Sequence, residues 1–223
     1  MSSLLQSRFF KQSDPMEQDF VYRLPETWWS RPYEYAWCAS FIESSDTALD
    51  AACGIPHPFK FVLGRRCMHA YACDWDSRIV SSNIILDAVR MEINEEAAEI
   101  VQKGAFTETH LSQAGLTQLP YANCFFDKIF CISVFEHLNL ADMQLVLEEF
   151  KRTLKDYGII LLTLDYPTID LSKFQSFVQN AGLEFCHEAD FTLPPDALKT
   201  DLWGGLYCFR AALKKTVLNS GSA

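Results

Sequence analysis

The order of apolar and polar positions along the chain predicts strands that alternate with helices. Continuous apolar runs, which are typical of buried parallel strands, occupy Ala48–Ala52, Met68–Cys73, Lys128–Val134 and Ile159–Leu164. Helical spacing or capping residues predict helices over Ser77–Ile93, Asn94–Gly104, Asp142–Leu154 and Leu171–Ala181. Weaker patterns suggest a short helix or turn at His57–Arg65 and strands at Ala105–Leu111 and Leu206–Leu213. This alternation predicts an α/β layer fold with a mostly parallel sheet.

The first 45 residues differ from the rest because they are rich in aromatic side chains and interrupted by prolines. Only Tyr33–Ile42 has a helical pattern. We interpret residues 1–45 as a lid or cap segment, residues 46–215 as the main domain and residues 216–223 as a disordered tail. The alternative is that the aromatic rings simply pack on a sheet edge, since large aromatic side chains are mostly buried.

Charge and composition narrow the classes of partner. The net charge of −10 disfavours binding to phosphate backbones and to anionic lipid. No signal peptide and no apolar run of about 20 residues is found, so we expect a cytoplasmic protein without a membrane partner. The eight cysteines form no C-x-x-C pair, which favours reduced thiols and no metal site. These features favour a small-molecule substrate and a monomer or homodimer.

Two strand ends carry candidate ligand-binding residues. The first predicted strand runs into the small residues of "DAACG", which include Asp50, Cys53 and Gly54. Small residues let the backbone approach a ligand closely, although an ordinary strand–turn has the same appearance. The second strand ends at Asp74, followed by Trp75. An acid at this position is suited to the two hydroxyls of a ribose, whereas the alternative is a helix N-cap made by Asp74 or Asp76.

A third stretch, "LPYANCFFDKIFCISVFEHL" at Leu119–Leu138, brings the patterns together. Its order of Leu-Pro-Tyr, Phe-Asp and Glu-His-Leu resembles the class I S-adenosylmethionine-dependent methyltransferases, especially their small-molecule branch. The segment "EEFKRTLKDYGIILLTLD" at Glu148–Asp165 is similar to the one that follows in that family. The resemblance covers roughly residues 35–214. It implies a Rossmann-like, seven-stranded, mostly parallel sheet flanked by helices, with an N-terminal aromatic lid.

The resemblance also implies roles for individual residues, with S-adenosylmethionine as cofactor and S-adenosylhomocysteine as product. His137 is the candidate catalytic base, because an imidazole titrates near neutral pH. The implied cofactor contacts are Asp50, Ala52, Cys53, Gly54, Asp74, Trp75, Leu116, Ser133 and Tyr35. The implied substrate contacts are Glu136, Tyr166, Trp29 and Arg31. Gly115 stands where the family often has an adenine-binding Asp, and Ala52 and Pro56 replace two loop glycines.

Several functions remain open on the sequence alone. The first is transfer of a methyl group to O, N or C of a small molecule. The alternatives are a catalytically degenerate domain that binds S-adenosylmethionine or S-adenosylhomocysteine, and a protein methyltransferase. A nicotinamide dehydrogenase needs a fuller glycine pattern than this loop has.

Overall fold

The computed structural model describes residues 4–104 and 109–217. Its strands are β1 Arg8–Phe9, β2 Thr47–Ala51, β3 His69–Asp74, β4 Thr109–Gln113, β5 Phe126–Ile132, β6 Leu154–Tyr166, β7 Leu183–Phe185, β8 Lys199–Thr200 and β9 Leu206–Lys215. Its helices are α1 Arg31–Ala39, α2 Phe59–Arg66, α3 Ser82–Glu92, α4 Glu95–Gly104, α5 Leu140–Thr153 and α6 Leu171–Asn180. The first half of the weak strand predicted from residue 105, and the tail beyond residue 217, lie outside the described residues.

All described strands belong to one sheet, with the order β1-β9-β6-β5-β2-β3-β4 and with β7 and β8 also paired to β9. Strands β2 to β6 run parallel to one another, whereas β9 is antiparallel to β6. The chain winds outwards from β2 through β3 to β4 and then returns to β5 on the other side of β2. The direction of winding therefore reverses between β2 and β5, which is where ligands bind in open α/β sheets.

The mostly parallel α/β sheet is confirmed, and the strand count needs a small correction. Seven strands, β2 to β7 and β9, make up the expected number. The other two, β1 and β8, are two-residue strands on the far edge of β9. Two residues are too short for an alternating pattern, so the sequence carried no periodic signal for them.

The sheet has apolar layers on both faces. Phe130 and Ile132 of β5 pack into the cluster that includes helices α1 to α4, whereas Cys131 between them packs into the cluster of α5 and α6. Successive side chains of a strand point to opposite faces, so a strand covered on both sides is apolar throughout. This explains the uninterrupted apolar runs in β5 and β6.

The N-terminal segment contributes both to the sheet and to the core. β1 pairs with β9, and the next ring, Phe10, is fully buried. Helix α1 begins two residues earlier than predicted and has a proline in its first turn, where a missing N–H costs nothing. Its Tyr35 and Trp37 are buried in the core. The role of residues 1–45 as a lid stays a prediction.

Candidate active site

A cavity of about 270 Å³ opens at the carboxyl ends of β2, β3 and β5. We call it the cleft cavity. It is lined by Arg31, Tyr35, Asp50, Ala52, Cys53, Gly54, His57, Phe59, Asp74, Trp75, Ile132, Ser133 and Val134. The lining comes from three strand ends, helix α1 and the loop between β2 and α2, at the point where the winding of the sheet reverses.

The loop after β2 turns through left-handed backbone conformations. Ala52 has φ +56° and Gly54 has φ +63°. A Cβ atom on Gly54 would come within 2.5 Å of the His57 ring, so this position requires glycine for two reasons. Ala52 meets the same conformational demand with a methyl group, which costs about 1–2 kcal/mol. The alanine is therefore a strained replacement and not merely a small one.

Asp74 joins the two strand ends of the cleft cavity. One oxygen, Oδ2, accepts a hydrogen bond from the Gly54 backbone N–H at 2.9 Å, and Oδ1 accepts one from the Asp76 N–H at 3.0 Å. A carboxylate has about four acceptor positions, so two remain for a ligand. The cap predicted as the alternative is made by Asp76, whose side chain accepts from the Arg78 backbone N–H.

Asp50 is a buried acid with one unsatisfied oxygen. Its Oδ2 atom has no hydrogen-bond partner. Burial, offset by the Lys60 charge and reinforced by Asp74, raises its pKa to about 7. Lys60 is itself fully buried and donates to the backbone oxygens of Gly54 at 2.7 Å and His57 at 2.5 Å. A cation that entered the cavity would stabilise the ionised form of Asp50.

A fully buried acid, Glu34, ties helix α1 to the ends of β5 and β9. Its carboxylate pairs with Arg31 and accepts hydrogen bonds from the hydroxyls of Ser30 at 3.0 Å and Ser133 at 2.5 Å. Burial opposes ionisation of Glu34, but Arg31 and the hydroxyl donors hold its pKa below the usual value. Glu34 therefore fixes the position of Arg31 at the cavity wall. No local pattern in the sequence distinguishes this acid from an ordinary surface one.

His57 forms one wall of the cleft cavity, although it is not among the site residues predicted from the sequence. Its ring stacks on Trp28 with centroids 4.1 Å apart, and its Nδ1 lies 2.7 Å from the Tyr35 hydroxyl. Burial, with contributions from the Arg31 and Lys60 charges, lowers its pKa well below the usual value. The ring is therefore neutral at pH 7. Its partners lie 22 and 29 positions away in sequence, so no local pattern predicts them.

A second cavity of about 240 Å³ shares Arg31 and His57 with the first. We call it the tryptophan cavity. Its lining is Thr27, Trp28, Trp29, Ser30, Arg31, His57, Asp165 and Trp203. Asp165 follows the buried part of β6, and its Oδ1 atom is buried without a hydrogen-bond partner. Burial, with Glu34 nearby, raises the pKa of Asp165 to about 6.

Most of the residues expected to form the site lie around these two cavities. The cleft cavity brings together Tyr35, Asp50, Ala52, Cys53, Gly54, Asp74, Trp75 and Ser133. Arg31 lines both cavities and Trp29 lines the tryptophan cavity. Neither described lining includes Leu116, Glu136, His137 or Tyr166.

The residues outside the two linings have distinct surroundings. Leu116 packs in the core beside α5 and α6, and Tyr166 lines a separate groove with Phe9. Glu136 is buried, its Oε1 accepts from the Asp165 N–H at 3.0 Å, and burial raises its pKa to about 8. The His137 side chain is 62% exposed, with Nε2 4.0 Å from Glu136 Oε1. Its role as a base stays a prediction, because catalytic contacts often form only with substrate bound.

Comparison with known families identifies the fold. A family model described as a methyltransferase domain matches residues 49–162, which is about half of the chain. The matched region contains β3 to β5 and most of β2 and β6. The chain belongs to the class I S-adenosylmethionine-dependent methyltransferase family. S-adenosylmethionine is accordingly the cofactor of its family. No curated protein sequence matches this methyltransferase-family chain.

Solved structures share the fold at low sequence identity. A TehB-like SAM-dependent methyltransferase from Corynebacterium glutamicum gives a TM-score of 0.57 at 15% identity, over 82% of this chain and 87% of that one. The [4+2]-cyclase SpnF gives 0.59 at 13% identity, over 94% and 87%. Magnesium protoporphyrin IX methyltransferase from Synechocystis, solved with bound SAM, gives 0.52 at 12% identity, over 80% and 75%. These likenesses bear on the fold alone.

The cleft cavity fits the cofactor of the family on the chemistry of its lining. Asp50 offers a buried acceptor without a partner, suited to an ammonium group. Asp74 has acceptor capacity left for ribose hydroxyls, and the Trp75 ring is 80% exposed at the cavity mouth, where a purine can stack. Gly115, where the family often has an acid, has no atoms within 4 Å of the space that a Cβ would occupy.

Two general observations complete the description of the site. In residues 4–104 and 109–217, no helix is both long and apolar enough to cross a membrane. Over the same ranges, no three or more His, Cys, Asp or Glu side chains are grouped so that they would bind a metal ion.

Proposed function

We propose that this protein is an active methyltransferase that transfers a methyl group from S-adenosylmethionine to a small-molecule acceptor. The observation that carries the proposal is the common wall of the two cavities, which Arg31 and His57 form. One cavity has the lining expected for the cofactor, and its neighbour is large enough for a small acceptor. Methyl transfer requires the acceptor atom to lie in line with the methyl carbon at about 3–3.5 Å, so the two adjoining cavities would have to open to each other between Arg31 and His57 when both ligands bind.

The proposed cofactor contacts follow from the lining of the cleft cavity. Asp50 would accept from the ammonium group of the methionine part, and Asp74 would accept from the ribose hydroxyls. Trp75 would stack on the adenine. When bound, the cofactor supplies a methyl carbon activated by the positive sulfur. Smaller contacts are proposed from Ala52, Cys53, Gly54, Ser133, Tyr35 and the backbone N–H of Leu116.

Arg31 has a position suited to the carboxylate of the methionine part of the cofactor. Burial would lower the pKa of its guanidinium, but the Glu34 carboxylate outweighs burial and the pKa rises. The pair is bonded on one side only, through Nη1, so the fixed guanidinium retains donors for a carboxylate. The structure therefore supports Arg31 as a fixed cation between the two ligands.

Removal of a proton from the acceptor has two candidate bases. The sequence predicts His137, which follows β5 and lies beside the buried Glu136. Asp165 is the second candidate, because it lines the tryptophan cavity directly and carries an oxygen without a partner. Glu136 and Tyr166 remain proposed acceptor contacts, as do Trp29 and Arg31.

The alternative is a domain that keeps the cofactor site without methyl transfer. The strained Ala52 and the absence of an acid at position 115 favour this alternative, because both would lower the affinity for the cofactor. One structural neighbour is named as a cyclase, so the fold is not confined to proteins named as methyltransferases. A protein methyltransferase is the other alternative, since the tryptophan cavity, at about 240 Å³, would also admit a single side chain of a protein. Four further statements remain predictions. The protein is cytoplasmic, its partner is a small molecule, it binds neither nucleic acid nor membrane, and it is a monomer or homodimer.

Calorimetric titration with S-adenosylhomocysteine and then with NAD tests the cofactor assignment. We expect saturable binding of S-adenosylhomocysteine at one site per chain and no binding of NAD. Heat from NAD alone would overturn the assignment. A search for methylated product with labelled S-adenosylmethionine then separates the enzyme from the binding domain.

Hydrogen exchange over residues 20–40, with and without S-adenosylhomocysteine, tests the proposed lid. The lid predicts stronger protection of these residues in the bound state.

A further inference from the structure

The tryptophan cavity combines three indole rings with one acid whose inner oxygen has no partner. Trp28 and Trp29 come from the N-terminal segment, and Trp203 comes from the loop between β8 and β9. Trp203 is 57% exposed although it lines the cavity, and Trp28 is stacked against the His57 ring. Asp165 Oδ1 is buried and accepts no hydrogen bond from any described residue. A buried acceptor without a donor is costly, so this oxygen is suited to a donor group of a ligand.

The charges around the cavity leave one negative charge without compensation. Arg31 is matched by Glu34, with which it forms an ion pair. His57 is neutral at pH 7 because burial and the nearby cations lower its pKa, and Glu136 behind the cavity is largely protonated because burial raises its pKa to about 8. Asp165, with a pKa of about 6, is mostly ionised. The cavity as a whole is therefore anionic.

We propose that the tryptophan cavity binds a small amine as its ammonium ion, with the cation against the indole rings and an N–H directed to Asp165 Oδ1. This inference rests on the proposed function and names the acceptor class of the same site. Indole rings attract cations through their faces, and a carboxylate adds a charge-assisted hydrogen bond. The volume of about 240 Å³ lies below the roughly 300–1,000 Å³ of pockets for drug-sized ligands, so the amine is small.

The same contact prepares the amine for reaction. An ammonium nitrogen has no free electron pair, so it must lose a proton before it can accept a methyl group. Transfer of one proton from nitrogen to Asp165 Oδ1 breaks an N–H bond and forms an O–H bond. The nitrogen keeps the electron pair and becomes neutral. Asp165 would thus both select the cation and act as its base.

Binding of three matched probes tests the inference without any turnover. The probes are 2-phenylethylamine, 2-phenylethanol and 3-phenylpropionate, which carry a positive, a neutral and a negative group on a similar body. Affinities are measured by tryptophan fluorescence and calorimetry, with the full chain and with saturating S-adenosylhomocysteine. We expect the amine to bind about 10–100-fold more tightly than the alcohol, the scale of a charge-assisted hydrogen bond. Equal or tighter binding of the alcohol or the carboxylate would overturn the inference.

Variants identify the residues responsible. Asp165→Asn should remove the preference for the amine and leave the alcohol affinity nearly unchanged. Asp201→Asn is the matched control, because this acid lies two residues from Trp203 and pairs with Lys199 on the surface. It should keep the preference. Trp203→Leu, on an exposed loop where folding is not at risk, should weaken amine binding several-fold. A preference that persists in Asp165→Asn contradicts the inference.

The outcome is separable from that of the proposed function. If S-adenosylhomocysteine fails to bind while the amine preference and its loss in Asp165→Asn are observed, the cofactor assignment fails and the inference stands. If S-adenosylhomocysteine binds and no amine preference is found, the inference fails and the cofactor assignment stands.

Discussion

The two cavities differ in how the chain builds them. The cleft cavity draws most of its lining from three strand ends, so its residues occur in short consecutive groups, such as Asp50–Gly54 and Asp74–Trp75. The tryptophan cavity takes single residues from distant positions, among them Trp28, Asp165 and Trp203. A site made from consecutive residues has a readable sequence pattern. A site assembled by tertiary contacts has none, and its chemistry becomes visible only in the folded chain.

The largest expected effect concerns turnover and decides between the two candidate bases. Asp165→Asn should lower turnover by about 10²–10⁴-fold, because general-base catalysis contributes on this scale. The rate should rise through about pH 6 in the unmodified protein, since burial sets the pKa of Asp165 there and the base must be ionised. Formation of S-adenosylhomocysteine with an amine acceptor is the measurement.

His137→Ala is the comparison variant for that experiment. Its exposed ring predicts a loss below about tenfold, whereas the assignment from sequence predicts about 10²–10⁴-fold. The affinity for S-adenosylhomocysteine should stay nearly constant in both variants. A large loss of turnover in His137→Ala, without one in Asp165→Asn, would show that His137 is the base, as the sequence predicts.

A second expectation concerns cofactor affinity in the cleft cavity. Asp74→Ala should weaken binding of S-adenosylhomocysteine by about 1.5–3 kcal/mol, the scale of hydrogen bonds to a charged group. Part of the loss comes from the Gly54 N–H, which also loses its acceptor. Asp76→Ala, which removes a partly exposed acid two residues away, should have little effect. An unchanged dissociation constant in a folded Asp74→Ala protein would show that Asp74 does not contact the ribose.

A third expectation concerns the pH dependence of that affinity. Because the pKa of Asp50 is raised to about 7, the carboxyl is mostly protonated at pH 6 and mostly ionised at pH 8. If the ionised form binds the ammonium group of the cofactor, the dissociation constant should fall by about tenfold over this range. Titration calorimetry at several pH values measures it. Asp50→Asn should flatten this dependence, and a parallel profile for the variant would count against Asp50 as the contact.

The smallest expected effect is on stability and uses two neighbouring alanines. Ala52→Gly should raise the free energy of unfolding by about 0.5–1 kcal/mol, because glycine adopts φ +56° without strain. Ala51→Gly should lower it by at least about 0.5–1 kcal/mol, since Ala51 is a buried strand residue. Denaturant unfolding gives both values. Changes of the same sign would show that strain at Ala52 is not the cause.

The sequence predicted the sheet well because apolar periodicity is a local signal. The apolar runs were long enough to predict five strands, β2, β3, β5, β6 and β9. The cap of α4 was also predicted, and in the structure the Ala97 N–H donates to Asn94 Oδ1 at 2.8 Å. Strand ends were placed within a few residues. β6 extends further at its start than predicted, because Leu154 already pairs with Phe126 of β5 and an irregularity in the register spans the polar residues before pairing resumes at Ile159.

What escaped prediction depends on contacts between distant residues. Glu34 reads as an ordinary acid in a helical pattern, yet it is fully buried and bonded to Ser133, which lies 99 positions away. His57 follows Pro56 and lies in a stretch predicted only as a short helix or turn, whereas its partner Tyr35 comes from a distant helix. The sequence shows that Ala52 is a small residue in the loop, but it does not predict that the backbone of Ala52 is left-handed.

The pairing of β9 has a consequence for the timing of synthesis. β9 is the hydrogen-bonding partner of β1, β6, β7 and β8, and Arg8 pairs with Arg210 across some 200 residues of chain. At about 5–20 residues per second, roughly 10–40 s separate the emergence of the two paired segments from the ribosome. During that interval Phe9 and Phe10, both buried in the finished fold, have no strand to pack beside. The nascent chain therefore presents an aromatic segment to chaperones until β9 has been made.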